Sequence, residues 1–170
     1  MVLEIEARNW YREGYLISTE QNLINVDVVH EAMASDIMWW TKAPPRQAVE
    51  KMLRNSLCFG LYELPKSTSE IAGQSSPRQV GLARVVTDDV TFAYLTDVYV
   101  LPELQGKGLG RWLMQCLDEV IKSWPHLRRF LLLTSTGNPL YKKTLGAEEW
   151  EEVKGNLSMQ TVWGPAAERH

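Results

Sequence analysis

The stretch from Asp97 to Gly110, DVYVLPELQGKGLG, constrains the fold more than any other part of the chain. A β-branched and aromatic run ends at Leu101-Pro102. Glycines follow at alternate positions, Gly106, Gly108 and Gly110, and an apolar stripe of helical spacing begins at Leu109. A strand that passes through a glycine loop into a helix belongs to an α/β domain. The loop N–H groups, bare of side chains at a helix N-terminus, converge on a phosphate, and the helix dipole favours its charge. Lys107 adds a cation. The expectation is a pyrophosphate site; the alternative is a flexible connection. Two familiar phosphate motifs do not match, because there is no G-x-x-x-x-G-K-[ST] run and the glycines are spaced G-x-G-x-G rather than G-x-G-x-x-G.

The flanking segments read as one mixed sheet with helices. Gly14 to Thr19 is an expected strand. Ser18 and Gln21 have capping-box spacing for a helix nearby, and Leu23, Val26, Val29 and Met33 recur at helical intervals. Pro44 and Pro45 suit the first turn of a second helix, with Val49, Met52, Leu53 and Leu57 as its stripe. Strands are expected at Cys58 to Leu64, Gln79 to Thr87 and Thr91 to Val100, with a turn at Asp88-Asp89. The stripe from Leu109 through Trp112, Cys116 and Val120 to Trp124 predicts a long helix stopped by Pro125. Arg129 to Thr134 reads as a strand buried on both faces. A short helix over Asn138 to Leu145 ends at Gly146, and closing strands are expected between Glu148 and Trp163. Pro65 to Pro77 is a Ser/Pro-rich loop.

A length of 170 residues suits one domain, expected over 1–170, and 45% hydrophobic residues supply a core. The net charge of -3 argues against a nucleic-acid partner. No apolar run approaches the roughly 20 residues of a membrane span, and Met1 to Trp10 does not read as a secretory signal. Cys58 and Cys116 read as reduced, packed thiols in a cytoplasmic protein. His30, His126 and His170 have no ligand spacing, so no metal is expected.

Gln105-Gly106-Lys107-Gly108-Leu109-Gly110 resembles the Gln/Arg-x-x-Gly-x-Gly/Ala signature of the GNAT N-acetyltransferases. The resemblance extends upstream to Val98-Tyr99-Val100 and Leu101-Pro102. Downstream it takes in Phe130 to Leu133 and Leu140-Tyr141-Lys142-Lys143 before Leu145-Gly146-Ala147, like the family's Leu-Tyr-x-x-x-Gly-Phe segment. The chain also resembles a group of small GNAT proteins in its His30 helix, Trp39-Trp40, Pro45-Arg46 and the strand start Ser56 to Gly60. It departs from the family at Thr134, where Asn is common, at Gly137, where Ala is usual, and at Ala147, the usual Phe.

The resemblance implies a GNAT fold: a mixed central sheet of about six or seven strands with about four helices. It implies acetyl-CoA as donor, with the backbone of Val98, Tyr99 and Val100 along the pantetheine arm and Gln105 to Gly110 around the pyrophosphate. A bulge in the central strand would open the slot for that arm. An attacking alkylamine, with a pKa of roughly 10, must lose a proton, and the leaving thiolate gains from an acid. A strand N–H near Val98 is the candidate donor to the oxyanion. By resemblance Tyr141 is the general acid; otherwise it packs against the cofactor. Asp97 is read as base or amine anchor, with a structural pairing to Arg84 as the other reading; Glu31 and Glu63 stay open as bases. His30, Trp39 and Trp40 are the candidate acceptor-binding residues, against structural roles for each. Arg46 is a candidate for a substrate carboxylate or a surface charge.

The expected function is acetyl transfer to the primary amine of a small molecule by a monomer or homodimer. Acetylation of a protein or peptide, and a non-catalytic CoA-binding module, are the alternatives.

Overall fold

The computed structural model describes residues 6–65, 76–135 and 138–149. Strands β1 (Asn9–Arg12), β2 (Tyr15–Ser18), β3 (Leu57–Glu63), β4 (Arg78–Thr87), β5 (Phe92–Val100) and β6 (Arg129–Leu132) form one sheet in that order. The first five run antiparallel, and β6 lies parallel to β5. The crossover between β5 and β6 is helix α3 (Leu109–Lys122). Helices α1 (Val26–Met33) and α2 (Arg46–Arg54) connect β2 to β3, and α4 (Pro139–Leu145) follows β6. This is the mixed α/β sheet with four helices that the sequence predicts.

Strand alternation divides the core between the two faces. Phe59, Leu61, Val85 and Leu95 pack with the stripe of α3, whose residues from Leu109 to Ile121 are buried at the expected positions. Cys58, Leu82 and Tyr99 pack with Val29 and Met33 of α1 and Val49 and Leu53 of α2. Each fully buried aliphatic side chain of these stripes contributes about 2 kcal/mol. Both cysteines are buried and free, and burial pushes each thiol up to about 12.

Several local expectations are corrected. β1 was not anticipated. It pairs with β2 through a tight turn in which Glu13 (φ 47°) and Gly14 (φ 84°) both take positive φ, as a two-residue hairpin loop requires. Ser18 and Gln21 do not form a capping box: Ser18 Oγ accepts from the Glu20 N–H, and Gln21 Nε2 donates to Leu53 O. The cap of α1 is Asn25, whose Oδ1 accepts from the N–H groups of Asp27 and Val28 at 3.0 and 3.2 Å. Pro45 is the N-cap of α2, and Leu57 belongs to β3 rather than to the α2 stripe. β6 is half-buried rather than fully covered, since among the described residues no strand pairs with its outer edge. Gly137, His170, the closing strands and most of the Ser/Pro-rich loop lie outside the described residues.

Among the described residues, no helix is long and apolar enough to cross a membrane. Nor does any group of three or more His, Cys, Asp or Glu there suit a metal ion.

Candidate active site

A bulge in β5 creates the site. Leu82 lies opposite Tyr99 and Arg84 opposite Thr96, so Asp97 and Val98 together face Ala83. Asp97 absorbs the extra residue with φ 51°, a conformation that Asp tolerates better than most side chains. The parity of the strand changes there. Ala93 and Leu95 pack on the α3 side before the bulge, and Val98 and Val100 do so after it. Asp97 is left on the other face. Its Oδ2 accepts from Arg84 Nε at 2.7 Å, and Arg84 Nη1 donates to Ser56 Oγ at 3.0 Å. The two side chains are 7% and 12% exposed, so this ion pair is buried in the sheet. The pairing reading of Asp97 is the one the structure displays, and Asp97 does not line the cleft described next.

Beyond Leu95 and Leu132, β5 and β6 no longer pair. The Leu101 N–H donates to Val80 O in β4 at 2.9 Å. By alternation, the Tyr99 backbone also faces β4, while the Val98 and Val100 backbone groups face the gap. The Val100 carbonyl confirms that direction by accepting from Gln105 Nε2 at 3.0 Å. A cleft of about 1080 Å³ fills this gap. Its walls come from both faces of the sheet: the glycine loop and the start of α3 on one side, the segment after α1 on the other.

At the loop, Gly106 and Gly108 have φ of 80° and 76°, and a Cβ added at either would meet nothing within 4 Å. Conformation, not space, requires glycine there. Gly108 is the N-cap of α3 and supplies no side-chain cap, so the first N–H groups of the helix stay available. Gly106, Gly108, Leu109 and Gly110 line the cleft; Lys107 does not. Arg111 lines it too, with Arg12 of β1, whose guanidinium lies 6.0 Å from the Trp112 ring centre. These groups fit a pyrophosphate: backbone donors, a helix N-terminus and two flanking cations.

Tyr141 faces the same cleft from the first turn of α4, beside Leu140. Asn138 caps that helix by accepting from the Leu140 N–H at 3.0 Å, and Gly146 (φ 66°) ends it by donating to Tyr141 O. Burial raises the Tyr141 phenol above its ordinary value, so it stays protonated at neutral pH. The departure at Thr134 is exposed; its Oγ1 accepts from Asn138 Nδ2 at 3.2 Å, which supports the α4 cap.

The structure divides the predicted acceptor residues. Trp40 lines the cleft, whereas Trp39 and His30 do not. The two indoles meet edge to face at 5.9 Å, with Trp39 63% exposed. His30 Nε2 lies 3.1 Å from Pro44 O. A carbonyl only accepts, so that nitrogen carries the proton and ties α1 to the chain ahead of α2. Arg46 pairs with Asp27 on the surface. Glu63 pairs with Arg78, and Glu31 lines a second cavity of about 660 Å³ rather than the cleft. Sequence reading missed Arg12, Ser35, Asp36 and Arg111 as cleft residues. A signal existed for Arg12 alone: Glu13-Gly14 between two strand-like runs is a hairpin turn that would have revealed β1.

The sequence profile described as the acetyltransferase (GNAT) family matches residues 29–147. A Gibberella zeae protein with a provisional acetyltransferase name is 44% identical, covering 99% of each chain. A solved structure from Xanthomonas campestris pv. campestris, provisionally named a GNAT-family acetyltransferase, superposes with a TM-score of 0.65 at 31% identity. The match covers 87% of this chain and 96% of that one. A provisionally named acetyltransferase from Clostridium acetobutylicum, solved with acetyl-CoA, shares the fold at a TM-score of 0.54 and 14% identity, over 84% of this chain and 94% of that one.

Proposed function

The chain belongs to the GNAT acetyltransferase family, and from that premise we propose that it transfers an acetyl group from acetyl-CoA to the primary amine of a small molecule. The observation that carries this reading is the through-sheet cleft, which sets a glycine-loop helix terminus, free strand backbone and a protonated tyrosine along one path. Acetyl-CoA, when bound, supplies the activated thioester. The backbone N–H groups from Gly106 to Arg111 would hold its pyrophosphate, with Arg12 and Arg111 as flanking charges. The Val98 and Val100 backbone would bind the extended arm as an added strand does, and a Val98 N–H turned into the gap would donate to the developing oxyanion. Tyr141 would hold a proton for the departing sulfur. A phenol with a raised pKa keeps that proton across the working range.

Asp97 would act by keeping the bulge in shape through Arg84. The amine would react as its neutral form, its proton having been released to bulk solvent before attack. A single domain in the cytoplasm is the setting this reading implies.

Calorimetric titration with acetyl-CoA, CoA and ATP tests the donor assignment. Saturable binding of the first two with weak binding of ATP is expected; a folded sample that binds neither overturns it. Tyr141→Phe then tests the acid. It should lower kcat by about 100-fold, the range of a lost general acid, and leave acetyl-CoA affinity unchanged. An unchanged kcat removes Tyr141 from the chemistry.

A further inference from the structure

The two ends of the cleft carry opposite charge, and we infer that the acceptor end selects an amine bearing a second positive charge. This rests on the acetyl-transfer reading above and narrows its substrate class. On the α3 side the cleft-lining ions are Arg12 and Arg111. On the α1 side the one acidic lining residue among those described is Asp36, in the turn Asp36–Met38.

None of the three has an ion-pair partner among the described residues, and all three line the one cleft. Other charges of the chain do pair: Arg46 with Asp27, Arg54 with Glu50, Arg84 with Asp97, and Arg78 with both Glu63 and Glu103. The cleft is therefore lined by charges without an ion-pair partner, positive where phosphates would lie and negative at the opposite face. The Asp36 backbone is held in place from both sides. Ser35 Oγ donates to Ala32 O at 2.8 Å and accepts from the Ile37 N–H at 3.3 Å. Trp40 lines the same wall, and an indole beside a carboxylate suits an alkylammonium group, which gains from both.

The chemistry of attack decides which charge Asp36 serves. A carboxylate against the reacting nitrogen would stabilise its ammonium form, and an ammonium has no lone pair for the thioester. Asp36 is exposed in the turn after α1, while Tyr141 is half-buried on α4. A second, non-reacting ammonium at Asp36 leaves the other amine of the same molecule to reach the thioester neutral. The substrate class is therefore a diamine or polyamine.

The test compares cadaverine with n-pentylamine, which match in length and differ by one ammonium, in a thiol-release assay. We expect kcat/KM to favour cadaverine by about tenfold, carried in KM. Asp36→Asn should erase the preference by raising the KM for cadaverine to that of n-pentylamine, and Asp36→Glu should keep part of it. Equal kcat/KM for the two amines overturns the inference, as does a preference that survives Asp36→Asn. A second readout does not need turnover: calorimetric titration of cadaverine into CoA-saturated protein. Saturable binding that Asp36→Asn abolishes supports the proposal, and no saturable binding in the wild type sinks it. Failure to bind acetyl-CoA is a different result, and brings down the acetyl-transfer reading itself.

Discussion

The two sides of the cleft differ in what they present. On the α3 side the groups that face a ligand are mostly backbone: N–H groups at Gly106 to Gly110 and the strand edge at Val98 and Val100. On the α1 side they are side chains, Asp36 and Trp40, carried on a short turn that hydrogen bonds at Ser35 and His30 hold in place. A backbone site must be built from glycine positions and a bulge, which few sequences satisfy. A side-chain site can be rewritten by one substitution without disturbing the fold. On the acetyl-transfer reading, the difference teaches that donor binding would be written into the architecture, while acceptor choice would depend on the identities of a few residues.

The largest expected effect lies where the two sides join. Asp97 shapes the bulge and neutralises Arg84 in the sheet. Asp97→Ala leaves a buried guanidinium unpaired, which costs about 3–5 kcal/mol, and places Ala in left-handed backbone as well. Urea denaturation should show it as a large fall in the midpoint. Asp97→Asn keeps the conformation and an acceptor, so it should lose less and stay folded. If Asp97 were instead the general base, Asp97→Asn would lose turnover with stability intact, and the bulge account would fail.

A smaller effect is expected from Gly108→Asp on the backbone side. Asp is a favourable N-cap and tolerates positive φ, so α3 should survive. Its carboxylate would face the phosphates, and acetyl-CoA affinity should fall by about 100-fold, or about 2.7 kcal/mol, in a calorimetric titration. Gly108→Asn is the neutral control and should lose far less. Equal losses for both would mean that shape, not charge, governs the loop.

The same division explains what was legible in the sequence. The α3 stripe, the strands β3 to β5 and the glycine loop announce themselves through period and spacing, because backbone geometry demands particular residues at particular intervals. Tyr141 was found through a motif tied to the same architecture. On the other side, Trp40 was found but Asp36 was not: an exposed aspartate after a helix has no periodic signature, and only the fold brings it to the cleft. Arg12 sits on a strand whose one sequence signal is the hairpin turn at Glu13-Gly14. The pairing of Asp97 with Arg84 is suggested by the sequence, as a carboxylate in an apolar strand needs a partner. Only the bulge decides which face it takes.

The smallest effect tests the side-chain side without touching its ligand groups. His30 was a candidate acceptor residue, yet its Nε2–H donates to Pro44 O at 3.1 Å and its ring does not line the cleft. His30→Ala removes one hydrogen bond and should cost about 1 kcal/mol of stability. Acetyl-CoA affinity should not change, because no element of the loop depends on that bond. The acceptor KM should rise only slightly, as the chain between α1 and α2 loses one of its ties. His30→Gln, which can still donate to the carbonyl, should recover much of the stability. A ligand role predicts the reverse pattern: KM raised by about tenfold or more, stability unchanged, and no rescue by Gln. The two patterns separate a residue that holds the wall from one that is part of it.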